Sequence, residues 1–172
     1  YTTLFRSKPD MGVVSDEGVV GIVQSVSDKF SVVIPILNPK IQINCKFTRN
    51  NYTGTLVWQG KDYRYANLND IARHVEFSLG DSLVSSGFSS TFPAGIPVGT
   101  VEDFNIKKSD IYYTIKIRLA VNFRTLSHVK VMNYKNYKSS RGLIKKMDSD
   151  IRQNDLLTND IFTIDCHAIN LL

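Results

Sequence analysis

Residues 80–101, GDSLVSSGFSSTFPAGIPVGTV, decide the predicted fold of this chain. Two short apolar strands, at Leu83-Val84 and over 96–101, are separated by a Gly-Phe turn and a Phe-Pro corner. Glycine allows tight turns and close strand crossings, while proline fixes φ and withholds an amide, so the stretch suits corners between strands better than a helix. The prediction of a small β-barrel depends on eight positions: Gly80, Asp81, Ser86, Gly87, Phe92, Pro93, Gly95 and Gly99.

Alternating apolar and polar residues predict strands on both sides of that stretch. The alternation is clear over 41–47 and again over 111–121. A period of two is typical of a half-buried strand. We count about ten strands between residues 12 and 133, with connections short enough for compact barrels. One segment, 67–74 (NLNDIARH), is predicted to form a single helical turn instead.

The composition argues against several classes of function. The 172 residues carry a net charge of +5 and are 42% apolar, which is ordinary for a globular protein. Two lysine pairs, Lys107-Lys108 and Lys145-Lys146, are too short for a basic patch interleaved with aromatics, so no nucleic-acid partner is predicted. The three histidines are isolated and the two cysteines lie far apart, so the sequence predicts no metal site and no cofactor. We expect Cys45 to be buried as a small hydrophobic residue.

Gly80-Asp81-Ser82-Leu83 also matches the signature of a serine-esterase family, with Asp165 and His167 as distant partners. A catalytic triad requires a nucleophile at a strained turn, with the base and the acid converging on it in space. Those esterases are α/β proteins with the signature near the N-terminus, whereas this motif lies in mid-chain among predicted strands. A turn that leads into a strand explains the same residues, and we prefer that interpretation.

The sequence predicts two small β-barrel units between less regular ends. Residues 1–9 begin with YTTLFRS, which looks like the translation of a sequencing adapter, so we expect an artefactual or truncated start. Residues 10–75 are predicted to form a first, incomplete barrel, and residues 76–134 a second one. Residues 135–172 lack stable periodicity and are expected to be a tail that is mostly disordered in isolation.

Three patches carry a family resemblance through their order and spacing. The first is 11–23, MGVVSDEGVVGIV, a predicted hairpin that contains Gly18 and Gly21; the second is the 80–101 stretch; the third is a closing strand pair that includes 129–131. Together they resemble the periplasmic β-domains of the MreC family of rod shape-determining proteins, over residues 8–134. The resemblance implies an all-β fold of two six-stranded barrels, similar to those of chymotrypsin-like proteases.

The resemblance also implies a function, that of a non-catalytic scaffold at the periplasmic face of the bacterial inner membrane. Such a protein is expected to bind and help activate a class B penicillin-binding protein and its polymerase partner. It would connect through MreD to the actin-like cytoskeleton and would self-associate. Because the fold resembles protease barrels, we compared Ser82, Ser85 and Ser86 with His74 and His128. No protease-like order or spacing appears, so no catalytic residue is predicted.

Aromatic side chains in turn contexts are the predicted partner anchors, because interface anchors are enriched in aromatics. They are Tyr63, Tyr65, Phe88 and Phe92. The alternative is a place in the core, above all for Phe92 beside Pro93. The alternative function is a general β-barrel module that binds a peptide or a glycan. Such a module would need an aromatic-lined groove with convergent polar groups.

Overall fold

The computed structural model describes residues 7–27, 30–105 and 111–134, together with two backbone strands at 161–165 and 169–171. These residues form an all-β structure, as predicted, with ten strands between residues 12 and 133. They contain no helix long and apolar enough to cross a membrane. The strands are β1 Gly12–Val14, β2 Val19–Val26, β3 Ser31–Pro35, β4 Gln42–Phe47, β5 Thr53–Val57, β6 Tyr65–Ala72, β7 Ser82–Ser85, β8 Pro97–Asn105, β9 Tyr112–Leu119, β10 His128–Met132, β11 Ile161–Asp165 and β12 Ile169–Leu171.

The strands form one closed barrel and one separate sheet. The barrel has the order β4-β5-β6-β9-β8-β7, and the sheet has the order β11-β10-β1-β2-β3-β12. Neighbouring strands are antiparallel except for β12, which runs parallel to β3. Closure gives every barrel strand two hydrogen-bonded neighbours, so the barrel has no free strand edge.

The two units divide the chain differently from the predicted division at residues 75 and 76. That boundary falls inside the closed barrel, between β6 and β7. The sheet instead joins the beginning of the chain to β10, because β1 pairs with both β2 and β10. Val13, Val129 and Val131 are fully buried in the resulting core. The barrel is thus inserted between the third and fourth strands of the sheet along the chain.

The predicted tail contains two of the strands in the sheet. β11 pairs with β10, and β12 pairs with β3. Over 161–165 and 169–171 the structure has strands within the tail that is predicted to be mostly disordered, because each segment adds hydrogen bonds to an existing sheet edge. The remaining residues of the predicted tail, and residues 1–6 of the predicted artefactual start, lie outside the described residues.

The predicted helical turn at 67–74 is wrong, since most of it lies in strand β6. Leu68 and Ile71 are both fully buried in the barrel, and the register of β6 against β9 shifts between them. Asp70, between these two, has a φ of 68°. A β-bulge inserts an extra residue into a strand. The extra residue puts these two buried side chains three positions apart instead of two. In the sequence, a spacing of three is typical of a helix.

Cys45 provides a probe of barrel integrity. It is 0% exposed within the barrel, and burial raises the pKa of its thiol to about 12. Because the thiolate is the reactive form, the native thiol should be inert. In a Cys166→Ser variant, we expect alkylation of Cys45 under mildly alkaline conditions to be at least roughly a hundredfold slower in the native protein than in denaturant. Equal labelling rates in the two conditions would contradict the buried position.

Candidate functional site

The loop over residues 86–96 is closed at its base by Ser85, the last residue of β7. The buried Ser85 hydroxyl donates a hydrogen bond to the carbonyl of Pro93 and accepts one of 3.0 Å from the amide of Ile96. The Ser85 amide donates to the Ile96 carbonyl at 2.8 Å, and the Gly95 amide donates to the Ser85 carbonyl at 3.0 Å. Four hydrogen bonds at one residue hold the two ends of the loop together. Sequence reasoning checked Ser85 only as a nucleophile and missed this role.

Local contacts also fix the interior of the loop. Gly87 has a φ of 79°, and a Cβ there would lie 2.8 Å from the Cβ of Ala94. The Phe92 amide donates to the Ser89 hydroxyl at 3.3 Å, and the Phe88 amide donates to the Ser86 hydroxyl at the same distance. A loop with this many internal contacts is ordered before any partner arrives, which lowers the entropic cost of binding.

Phe92 lies where the barrel meets the sheet. Its side chain is 2% exposed. It packs so closely on β1 that a Cβ at Gly12 would lie 2.6 Å from its Cε1 atom. The predicted anchor is therefore a core residue, as the alternative interpretation held. Phe88, by contrast, is 73% exposed on the same loop.

Two further glycines of the predicted motif allow close backbone contacts. A Cβ at Gly18 would lie 2.3 Å from the carbonyl oxygen of Pro97, so the β1–β2 turn packs directly on the start of β8. A Cβ at Gly99 would lie 2.2 Å from the carbonyl oxygen of Arg118 on β9. The remaining motif positions form turns or approach strands closely: Gly21 lies against the Ile34 carbonyl, Gly80 and Gly95 have positive φ, and Asp81 accepts a hydrogen bond from the Ser78 amide.

These contacts place the sheet at one end of the barrel, which we call the proximal end. The strand directions put Pro97, Ser85 and Leu119 there. The opposite, distal end carries the end of β8 and the start of β9, where Asn105 pairs with Thr114.

An aromatic cluster covers the distal end. The ring of Phe77 stacks on that of Phe47, with centroids 5.6 Å apart, and meets Phe104 and Tyr113 edge-on at 5.1 Å and 5.0 Å. The same end of the barrel carries five of the seven large apolar side chains that are exposed among the described residues, namely Tyr52, Leu79, Phe104, Ile111 and Tyr112. We call the eight residues Phe47, Tyr52, Phe77, Leu79, Phe104, Ile111, Tyr112 and Tyr113 the distal aromatic cluster.

Sequence reasoning missed this cluster, although one signal was present. Ile111, Tyr112 and Tyr113 are three consecutive apolar residues at the start of an otherwise alternating strand. Because side chains of a strand alternate between faces, at least one of them must lie on the outer face. The other members come from separate loops and strands, and only the fold brings them together.

Tyr63 and Tyr65 are half-buried on the outer side of the barrel, and cations approach their rings. The ammonium of Lys116 lies 4.0 Å from the Tyr65 ring centroid, and the guanidinium of Arg124 lies 5.8 Å from that of Tyr63. Tyr65 lines two grooves of about 340 Å³ and 240 Å³. Phe88 lines neither of these two grooves.

Ion pairs fix the arginines beside Tyr65. Arg118 donates to both carboxylate oxygens of Glu102, at 2.8 Å and 3.0 Å. Arg64 donates to Asp62 at 2.7 Å. The hydrogen bond from Arg64 lowers the pKa of Asp62 to about 2, and the hydrogen bond from Arg118 lowers that of Glu102. Both carboxylates are thus ionised at neutral pH and their arginines are engaged.

Among the described residues, neither histidine of the protease alternative forms a hydrogen bond with Ser82, Ser85 or Ser86. His74 lies edge-on to Tyr52 with ring centroids 6.0 Å apart, and Nδ1 of His128 contacts the hydroxyl of its neighbour Ser127 at 3.0 Å. Gly80-Asp81 is a turn that leads into β7, as preferred from the sequence. Within the described ranges, no group of three His, Cys, Asp or Glu side chains is placed to hold a metal ion. His167 lies outside those ranges.

The part of the chain that holds strands β1 to β10 is similar to known proteins. A family model described as "Rod shape-determining protein MreC, barrel core" matches residues 7–133. The cell shape-determining protein MreC of Listeria monocytogenes is 28% identical over 128 residues, which cover 73% of this chain and 43% of that protein. The chain therefore spans less than half the length of this relative.

Solved structures of similar fold agree with this match. A structure of MreC from Listeria monocytogenes has a TM-score of 0.67 at 28% identity, with 73% of this chain and 61% of that chain covered. A chain of the complex between Penicillin-Binding Protein (PBP2) and MreC from Helicobacter pylori has a TM-score of 0.57 at 20% identity, with 69% of this chain and 74% of that chain covered. At this lower identity the likeness is one of fold.

The two phenylalanines of the 86–96 loop should differ sharply in their effect on stability. Phe92→Ala leaves a cavity between barrel and sheet and should lower the free energy of unfolding by about 3–5 kcal/mol. Phe88→Ala is the matched control and should change it by no more than about 0.5 kcal/mol, because the side chain is exposed. Urea unfolding followed by tryptophan fluorescence measures both values. Similar losses in the two variants would contradict the assignment of Phe92 to the core.

Proposed function

Because this chain belongs to the MreC family of rod shape-determining proteins, we propose that it is a non-catalytic scaffold of cell-wall elongation. In this role it binds a class B penicillin-binding protein through the distal aromatic cluster. The observation that carries the proposal is the concentration of exposed large apolar side chains at one end of the barrel. Exposed apolar patches on soluble domains mark interaction sites.

The distal end suits docking because the sheet does not cover it. The contacts between barrel and sheet, at Gly12 and Gly18, lie at the proximal end. A partner can therefore reach Leu79, at 62% exposure, and Ile111, at 70% exposure, without displacing any described part of the chain.

Aromatic contacts within the distal aromatic cluster also hold an exposed ring in place. Phe104 is 43% exposed, yet its ring is held edge-on by Phe77 at 5.1 Å and by Tyr113 at 5.9 Å. A side chain already fixed in place loses little rotamer freedom on binding, so more of its burial contributes to affinity. Phe88, on its ordered loop near the proximal end, supports a second anchor point by the same reasoning. Tyr63 and Tyr65 stay predictions as protein anchors.

The family resemblance supports the wider assembly that we propose. The scaffold acts at the periplasmic face of the inner membrane and contacts the polymerase partner of the penicillin-binding protein. It connects through MreD to the actin-like cytoskeleton, and it self-associates. We further propose that the sheet closes into a second barrel of the chymotrypsin type. The complex of the Helicobacter pylori relative with PBP2 supports the choice of partner.

Activation of the penicillin-binding protein follows from binding if the distal aromatic cluster prefers one conformation of that protein. A bound scaffold shifts the partner's population by no more than the difference between its affinities for the two conformations. The scaffold therefore needs no chemistry of its own. The alternative function, a peptide- or glycan-binding module, is favoured by one observation, the groove of about 340 Å³ beside Tyr65.

The distal aromatic cluster predicts which substitutions weaken partner binding. The double variant Leu79→Ser/Ile111→Ser should raise the Kd for the purified periplasmic part of the penicillin-binding protein by roughly tenfold or more, because two exposed apolar contacts are lost. Phe30→Ser, at 58% exposure directly before β3, is the control and should leave the Kd unchanged. Biolayer interferometry measures the Kd, and circular dichroism checks that each variant is folded.

An unchanged Kd for the folded double variant would remove the distal cluster as the docking surface. A loss with Phe88→Ala but not with the double variant would move the interface to the 86–96 loop.

A further inference from the structure

We propose that the outer face of strands β6, β9 and β8 binds a glycan strand that carries carboxylate groups. The site is the groove of about 340 Å³ beside Tyr65. It is separate from the distal aromatic cluster except at Phe104, which borders both. Nothing in the scaffold function requires this groove.

The polar side chains of the groove form rows across three paired strands. Asn67 of β6 is opposite Lys116 of β9, and Lys116 is opposite Asp103 of β8. The next row on the same face pairs Thr114 with Asn105. Neighbouring strands are about 4.8 Å apart, so one row spans about 10 Å. The face is therefore long enough to contact several hydroxyl groups of an extended chain.

The barrel offers side chains to a ligand here and no backbone edge. β6 is hydrogen-bonded to β5 and β9, and β9 to β6 and β8. A peptide strand recognised by β-augmentation needs an unpaired edge, and a closed barrel has none. Sugar hydroxyls each donate and accept, which matches the amides of Gln59, Asn67 and Asn105 and the hydroxyl of Thr114. The chemistry of the groove thus favours a glycan over a peptide.

Two lysines and two aspartates line the groove, so its charge is balanced, and Lys116 is the cation placed to meet a ligand carboxylate. Its ammonium lies over the Tyr65 ring at 4.0 Å and is absent from the four ion pairs that the described residues form. Arg64 and Arg118, on either side, already bind Asp62 and Glu102. Of the cations around Tyr65, Lys116 is the one that can bind a ligand carboxylate without breaking an existing pair. Tyr65 fixes its position through the cation–π contact.

The test uses soluble, uncross-linked peptidoglycan chains as the probe, a choice that rests on the proposed function. Titration into the full ¹⁵N-labelled chain should shift amide resonances of 65–67, 103–105 and 114–116, and calorimetry gives the Kd. Lys116→Gln should raise this Kd roughly tenfold, because a charge-assisted contact is lost. Lys46→Gln, on the outer side of β4, is the control and should leave it unchanged.

Other outcomes overturn the inference. They are an absence of shifts in the groove, equal binding of the stem peptide without sugar, and equal affinity of the Lys116→Gln and unaltered chains. Binding of the penicillin-binding protein is measured on the same variants. Loss of glycan binding with intact protein binding supports a separate glycan site, whereas parallel loss of both refutes a site separate from the protein interface.

Discussion

The contact between Phe92 and the bare backbone of Gly12 joins the barrel to the sheet. The ring occupies space that any larger residue at position 12 would need, and it is almost fully buried there. Phe92 thereby attaches the 86–96 loop to β1, while Gly18 brings the β1–β2 turn onto Pro97 at the start of β8. The sheet is held at one end of the barrel by these contacts, and the other end remains accessible.

The barrel has three surfaces that expose different kinds of side chain. The proximal end carries structural contacts, the distal end exposes aromatic and aliphatic side chains, and the outer face beside Tyr65 presents amides and a lysine that is free of ion pairs among the described residues. Each surface suits a different kind of ligand, because apolar burial, hydrogen bonding and charge have different physical requirements.

Sequence reasoning found the strands and the turn positions because these follow from local rules. Alternation marked β4 and β9, and the glycines of the 80–101 stretch marked positions that a Cβ would strain or obstruct. The division into units could not be predicted in this way, since β10 returns to β1 across more than a hundred residues and only shared burial decides it. The bulge at Asp70 separates two buried residues by three positions, and a local pattern rule interprets that spacing as a helix. The distal cluster was missed because its members meet only after the barrel closes.

Docking of a penicillin-binding protein on the distal end of the barrel is open to direct measurement. Hydrogen–deuterium exchange of the full chain, with and without the periplasmic part of that protein, tests it most directly. We expect slower exchange at 77–81, 103–105 and 111–113, with little change in β1 and β2. Protection confined to the sheet, with the distal end unchanged, would contradict docking at the distal end.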